Sequence, residues 1–171
     1  MNSREKLLKA TRECLLHLGH GATTVKAIAS RAGVNHGLVH HYFGSKESLI
    51  VEVLVHEQQE LLSQVARHPV EEKLGVIVRE LVENNERSRL LVEFLAMADQ
   101  MPEAGIKIRE ALAKRDELFC QQLGIEDVGI RWLLASALLG LALTRQVEPD
   151  APTEQVIEQV RKIIRAARGA Q

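Results

Sequence analysis

Apolar residues recur along almost the whole chain at intervals of three and four, the spacing that places them on one face of an α-helix. Near the N-terminus, Leu8, Thr11 and Leu15 share such a face. No segment alternates between apolar and polar residues for long, and β-branched clusters bounded by turn residues are missing. The sequence therefore predicts an all-α protein.

Glycine, proline and capping residues divide this pattern into about nine helices. Asn35, Ser45 and Thr153 are expected to cap the third, fourth and last of them. The predicted helices run to Gly19, from Thr23 or Thr24 to Ala32, from Asn35 to Phe43, from Lys46 to about Arg67, from about Val70 to Asn84, from about Glu86 to Met101, from about Glu103 to Leu123, from Glu126 to Val147, and from Thr153 through Ala167.

The segment TVKAIASRAGVNHGLVHHYFGSKESL, residues 24–49, stands apart from the long helices around it. Two short helices joined by a tight glycine turn at Gly33 form a helix-turn-helix, which lays its second helix in the DNA major groove. Val34, Val39 and Phe43 are expected to face inward. The residues left facing outward can donate, accept or touch a thymine methyl, and they are Asn35, His36, Gly37, Leu38, His40 and His41.

This segment resembles the signature of the tetracycline-repressor (TetR) family, Gly-Val-x-x-Gly-x-hydrophobic-x-x-Tyr-Phe-x-Ser-Lys-Glu-x-Leu, and the resemblance covers about the first 55 residues. It implies a dimeric repressor that binds a palindromic DNA operator and leaves it when a small-molecule effector binds. It also implies a three-helix DNA-binding domain over residues 1–47 and a helical ligand-binding and dimerisation domain over residues 48–171. The coinciding residues are Gly33, Val34, Gly37, Tyr42, Phe43, Ser45, Lys46, Glu47 and Leu49.

The resemblance assigns roles by position within this segment. Thr24, Tyr42 and Lys46 would hold phosphates, and Lys26 would reach the backbone or a base edge. The family usually has Thr or Ser at the position of Leu38 and often Tyr at that of His40, so an apolar contact with a thymine methyl is expected from Leu38. Base reading would fall to Asn35, His36, Gly37, Leu38 and His40.

Charge is distributed unevenly along the chain. Residues 1–55 hold seven Lys/Arg against four Asp/Glu, whereas the whole chain has a formal net charge of −1. Five of the seven histidines also lie in this N-terminal part. A mildly basic N-terminal part on an acidic body fits contact with nucleic acid.

The chain is expected to be a cytoplasmic protein without a membrane partner. Cys14 and Cys120 fall in no CxxC or Cys/His finger pattern, so they are interpreted as buried thiols in a reducing compartment. The charged N-terminus lacks the apolar core of a signal peptide. The most apolar run, Trp132–Leu143, has 12 residues, and a membrane span needs about 18 or more.

That apolar run predicts a homodimer, because a helix apolar on all sides must be covered all round. The last helix, Val156–Ala167, is expected to join it in the interface, with Val160 and Ile164 packed against their counterparts. The alternative is a fully buried central helix in a monomer.

The effector is expected inside the body, between the fourth helix and the three that follow. Few aromatic residues lie there, which favours an aliphatic or acyl-bearing ligand over a planar aromatic one. Met suits irregular ligand shapes, and an arginine can hold a carboxylate or phosphate at the mouth. The expected ligand-binding residues are Phe94, Met97, Met101, Ile108 and Arg109.

Other classes of function have less support. His36 and His40, or Cys14, His17 and His20, have helical spacing, but no carboxylate motif accompanies them, so neither a metal nor another cofactor is expected. His17 and His20 are interpreted as solvated residues.

A helical enzyme is disfavoured because GxSxG, phosphate-loop and dinucleotide motifs are missing, although Glu93, Asp99, Glu103 and His56 offer titratable groups. A ligand-independent regulator or an architectural DNA-binding protein stays open as the alternative.

Overall fold

The computed structural model describes the backbone of residues 1–169 and the side-chain environments of residues 1–166. Those residues form nine α-helices and no strand, which confirms the all-α prediction. The side chain of Ala167, at the end of the predicted interface helix, lies outside the described side chains. The helices are α1 Ser3–Ala22, α2 Val25–Ala32, α3 Gly37–Phe43, α4 Lys46–Ala66, α5 Val70–Val78, α6 Asn85–Gln100, α7 Pro102–Leu123, α8 Val128–Val147 and α9 Thr153–Gly169.

Helix starts follow the capping chemistry of the sequence. Thr24 accepts a hydrogen bond from the Ala27 N–H at 3.1 Å, and Ser45 accepts one from the Ser48 N–H at 3.0 Å. These side chains satisfy backbone donors that have no partner within the helix. The predicted cap at Ser45 and the predicted start of α2 are therefore confirmed.

Two predicted caps are wrong. His36 occupies the cap position of α3, and its side chain makes no capping bond. The Asn35 amide oxygen accepts from the N–H of Gly37, the first helical residue, at 2.8 Å, whereas a capping side chain bonds the second or third. Thr153 is the first residue of α9, and its hydroxyl donates to the Ala151 carbonyl at 3.2 Å. In both places the side chain stabilises the turn that precedes the helix.

Gly19 breaks α1 where the sequence predicts its end: its φ of 72° and ψ of 168° are not helical, and one further turn follows to Ala22. One helix end differs from prediction. The fifth helix stops at Val78 and continues as a π turn, Arg79–Glu83. Leu81 and Val82 of this turn are buried, as their helical spacing predicts, but the π turn itself leaves no mark in a pattern of 3.6-residue period.

The chain forms two compact units. The first comprises residues 1–58 and 89–111, in which α1 packs against α2 and α3. Its most deeply buried side chains include Leu7, Ile28 and Val39. The second comprises residues 59–88 and 112 onward, and one apolar cluster from the end of α4, α5, the π turn, the end of α7, α8 and α9 fills it.

Helix α8 presents apolar side chains on two opposite faces. Leu134 and Leu138 belong to the core of the second unit, with 4% and 5% exposure. Trp132 and Leu133, by contrast, are 68% and 49% exposed. By length and composition alone this helix is also long and apolar enough to cross a membrane, and it alone meets that test among the described residues.

Candidate nucleic-acid interface

The turn between α2 and α3 depends on Gly33. Its φ of 65° and ψ of 38° lie in the left-handed region, which costs glycine little. The Val34 N–H donates back to the Ala29 carbonyl at 3.1 Å, which closes the end of α2. The chain is thereby redirected into α3 within four residues.

Helix α3 is held from behind by apolar side chains. Val39 is fully buried and Phe43 is 7% exposed, with the Arg4 guanidinium 5.2 Å from the Phe43 ring centroid. Val34 is half-buried. The inward face predicted from the sequence is therefore the one that packs on the rest of the unit.

The opposite face of α3 and the turn before it are open to solvent. Asn35, His36, Gly37, His40 and His41 are exposed, and Leu38 is half-buried beside them. This set combines amide, imidazole and apolar groups within seven consecutive residues. Such a surface has the size and chemistry to meet base edges in a major groove.

Hydrogen bonds within the chain determine which donor and acceptor atoms two of these side chains present to solvent. The Asn35 oxygen accepts from the Gly37 N–H, so its NH₂ group points its donors away from the helix start. His40 Nδ1 lies 3.0 Å from the Gly44 carbonyl oxygen and therefore donates to it. In the neutral ring Nε2 is then an acceptor, suited to the exocyclic amino group of adenine or cytosine.

The residues assigned to phosphates lie at helix ends. Thr24 and Lys26 stand exposed at the start of α2, and Lys46 begins α4. Helix N-termini favour anions because their N–H groups point outward and the helix dipole is positive there. Tyr42 is 41% exposed at the end of α3, and its ring packs edge-on against His41 at 4.9 Å.

The sequence did not reveal which cations near the N-terminus form ion pairs within the chain and which can bind phosphates of DNA. Arg4 pairs with Glu52, and Arg31 Nη1 lies 3.2 Å from Glu13 Oε2. Guanidinium groups tied to carboxylates contribute little to the charge that a phosphate meets. Lys26 and Lys46 are the lysines suited to external phosphates, and the ion pair of Lys46 is a long one, with its Nζ 4.0 Å from Glu47 Oε1.

The predicted ligand-binding residues fall into different environments. Phe94, Met97 and Ile108 are buried in the first unit, with at most 2% exposure. Arg109 is exposed, and its Nη1 donates to the Ala98 carbonyl at 3.1 Å. Met101 is half-buried and lines a groove.

This groove, called the α4 groove below, has a volume of about 840 Å³, which is within the range of small-molecule sites. One wall is the start of α4 and the other is the corner between α6 and α7. Carboxylates outnumber lysines in it three to one. The lining residues are Ser45, Glu47, Ser48, Val51, Gln100, Met101, Pro102, Glu103, Ala104, Ile106, Lys107 and Glu110.

His20 is not the solvated side chain expected from the sequence. Its backbone N–H donates to Glu93 Oε2 at 2.6 Å, its Nδ1 lies 2.9 Å from the same oxygen, and its Nε2 lies 3.0 Å from Gln100 Oε1. Hydrogen bonds to Gln100 and Glu93 raise the pKa of His20 above its ordinary value. Partners 73 and 80 residues away along the chain leave no signal in a local pattern.

Comparison with known proteins agrees with this geometry. Residues 7–53 match the family described as bacterial regulatory proteins, tetR family. An alignment of 65 residues is 38% identical to the HTH-type transcriptional regulator BetI of Stenotrophomonas maltophilia, and it covers 38% of this chain and 33% of that protein. The chain thus spans about a third of the length of the first curated relatives it matches.

Longer alignments are less identical. The HTH-type transcriptional regulator UidR of Escherichia coli K12 is 27% identical over 170 aligned positions, which cover 92% of this chain and 85% of that protein. Among solved structures, a transcriptional regulator from Rhodococcus sp. Rha1 superposes with a TM-score of 0.73 at 25% identity. That superposition covers 99% of this chain and 97% of the Rhodococcus chain.

Proposed function

Because the chain belongs to the TetR family of bacterial regulatory proteins, we propose that it is a repressor that binds a palindromic operator as a homodimer and leaves it on binding an effector. The members it resembles are transcriptional regulators, so the chain is a regulator and not an enzyme. Residues 1–47 bind DNA in this proposal, and residues 48–171 bind the effector and the second subunit.

The observation that carries the DNA-binding role is the open face of α3 behind the Gly33 turn. Five of its six outward residues are exposed, while Val39 and Phe43 anchor the opposite face. Asn35, His36, Gly37, Leu38 and His40 read bases in this proposal. Thr24, Tyr42 and Lys46 hold phosphates, with Lys26 and His41 beside them.

The homodimer rests on the uncovered apolar face of α8. Val128, Trp132 and Val147 are more than half exposed along one helix, which is costly for large apolar side chains in water. Val160 and Ile164, however, are only 7% and 5% exposed in the chain's own core, so the expectation that they pack against their counterparts is wrong. Exposed Ile163 takes that place on α9.

The α4 groove is the proposed entry for the effector. Five of its twelve lining residues are apolar, among them Val51, Met101 and Ile106, and these suit the aliphatic part of the ligand expected from the sequence. The surplus of carboxylates favours a neutral or positively charged polar end over an anion. Lys46 lies beside this wall at the start of α4, so a ligand that displaces the wall also displaces a phosphate contact.

Selection of bound fragments from random DNA tests the DNA-binding proposal. We expect a palindrome whose half-sites are about one helical turn, or a multiple, apart. If the dimer neutralises roughly 6–10 phosphates, its affinity should fall about 10³–10⁵-fold between 50 and 200 mM salt. Recovery of no enriched sequence, or of a single unpaired half-site, would overturn the proposal.

Thermal-shift screening followed by operator release tests the effector proposal. The set should contain acyl-coenzyme A esters, fatty acids, aliphatic amines and aromatic drugs. We expect aliphatic compounds to stabilise the protein and to weaken operator binding, and Met101→Ala to reduce both effects. Release by aromatic drugs alone contradicts the aliphatic assignment, and release by no compound favours a ligand-independent regulator.

A further inference from the structure

The last turn of α1 is bound by α6 through backbone and side-chain groups. Gly19 permits the break in α1 because its φ is 72°, and the Glu93 carboxylate lies so close that a Cβ on Gly19 would be 3.4 Å from both oxygens. Glu93 Oε2 then accepts from both the backbone N–H and the ring of His20. The missing Cβ of Gly19 therefore leaves space for the Glu93 carboxylate beside the broken turn of α1.

Three side chains on one face of α6 bind the end of α1. Arg89, Glu93 and Gln100 are four and seven residues apart, a spacing that keeps them on the same side of the helix. Arg89 Nη2 donates to the Leu16 carbonyl at 2.7 Å, which satisfies an acceptor near the end of α1. Helix α6 therefore holds the end of α1 at two places, through Leu16 and through His20.

The His20 ring meets an oxygen acceptor on each nitrogen. Glu93 can only accept, and the Gln100 oxygen accepts as well, so both contacts together require the doubly protonated ring. A neutral ring keeps only one of them unless the Gln100 amide turns over. The His20 and Glu93 side chains are 20% and 26% exposed, so water competes only partly for these bonds.

The charges that face His20 come from two helices. Glu93 on α6 favours the imidazolium, and Lys46 on α4 opposes it. Lys46 is also a proposed phosphate contact. A DNA phosphate bound at Lys46 would offset that repulsion.

We propose that protonated His20 is a positioning residue for operator binding: by joining the end of α1 to α6 it holds the helix-turn-helix in its binding orientation. The proposal rests on the proposed DNA-binding function. It makes operator affinity depend on pH through a side chain that does not touch DNA.

The path from His20 to the DNA surface is short. The buried Thr23 donates its hydroxyl to the Gly19 carbonyl at 2.6 Å and its N–H to the His20 carbonyl at 3.3 Å. The next residue, Thr24, caps α2 and is a proposed phosphate contact. Only Thr23 and Thr24 separate α1 from α2, so a shift at His20 reaches the start of α2 directly.

Proton linkage fixes the direction of the effect. If phosphate binding favours the imidazolium, operator binding takes up a proton, and affinity rises as pH falls. One proton limits this contribution to about tenfold per pH unit. Across pH 6 to 8 we expect roughly fivefold to tenfold stronger binding at the acidic end from this residue.

Operator affinity measured between pH 6 and 8 tests the proposal with four variants. His20→Gln and Glu93→Gln should lose the His20 contribution to the pH dependence. His20→Arg, which keeps the charge and the donors, should bind at the acidic-limit affinity at every pH. His17→Gln removes an exposed imidazole three residues earlier on the same helix and is the matched control, which should retain the wild-type profile.

Wild-type pH dependence in His20→Gln and Glu93→Gln would overturn the proposal, and so would a loss of affinity in His20→Arg equal to that of His20→Gln. NMR titration of the His20 ring in free wild-type protein separates this outcome from failure of the proposed function. A ring that titrates above the ordinary histidine range, with a shift that Glu93→Gln abolishes, supports the link between protonated His20 and α6 even if no operator is found. A ring without such a shift refutes that link.

Discussion

Removing the exposed indole of α8 should dissociate the proposed homodimer without unfolding the subunit. Trp132 is 68% exposed in the single chain and contributes little to its core. In Trp132→Ser the subunit should therefore keep its stability to within about 0.5 kcal/mol, as is usual for surface substitutions. The cost should appear only in association.

The size of that cost follows from area. A Trp side chain presents up to roughly 250 Å², so 68% exposure leaves about 170 Å² per subunit. If half of this is covered in the dimer, the two copies together contribute about 4 kcal/mol at ~25 cal/mol per Å². The dissociation constant of the dimer should then rise roughly 1,000-fold.

Sedimentation equilibrium over a concentration series measures this change, with circular dichroism to verify folding. Val70→Ser removes an apolar side chain of 37% exposure on α5 and should leave the dimer intact. Leu134→Ser removes a side chain of the protomer core, 4% exposed, and should unfold the chain instead. An unchanged dissociation constant in Trp132→Ser, or a wild-type monomer at micromolar concentration, would refute the reasoning.

Three further predictions concern the first unit. Lys46→Ala should weaken binding to all DNA sequences alike and lower the salt slope, whereas His36→Ala should relax discrimination at one base pair by ~1–3 kcal/mol; fluorescence anisotropy with operator variants separates the two patterns. Gly33→Val should lower the free energy of unfolding by about 1–3 kcal/mol, because a β-branched residue is strained at a φ of 65°; an unchanged denaturant midpoint would contradict this. Since hydrogen bonds to Gln100 and Glu93 raise the pKa of His20 in the folded chain, the stability that protonated His20 contributes is complete below about pH 6.5 and is lost as pH rises through the folded pKa. Glu93→Gln should therefore lower the unfolding free energy more at pH 6 than at pH 8.5, and equal losses at both would show that the carboxylate acts independently of the imidazole.

Local chemistry was sufficient for much of the structure. The glycine at residue 33 and the apolar spacing of Val39 and Phe43 predicted both the turn and the buried face of α3, because these depend on backbone strain and helical period within about ten residues. The same applies to Thr24 and Ser45, whose hydroxyls cap helices that begin beside them. The starts of α2 and α4 and the exposed surface of α3 were therefore within reach of the sequence.

Tertiary structure decided what depends on distant partners. The sequence predicted that α8 is apolar on all sides and that Val160 and Ile164 of the last helix lie in the dimer interface. Only the packing showed that Val160 and Ile164 belong to the chain's own core and that Trp132 lies outside it. The π turn after Val78 likewise interrupts a segment that the sequence predicted as one continuous helix. His20 could be placed on a helix from its neighbours, yet its charge state depends on Glu93 and Gln100, which folding alone brings within 3.0 Å. The period of apolar residues shows which residues share a helix face, whereas the tertiary fold determines what that face packs against.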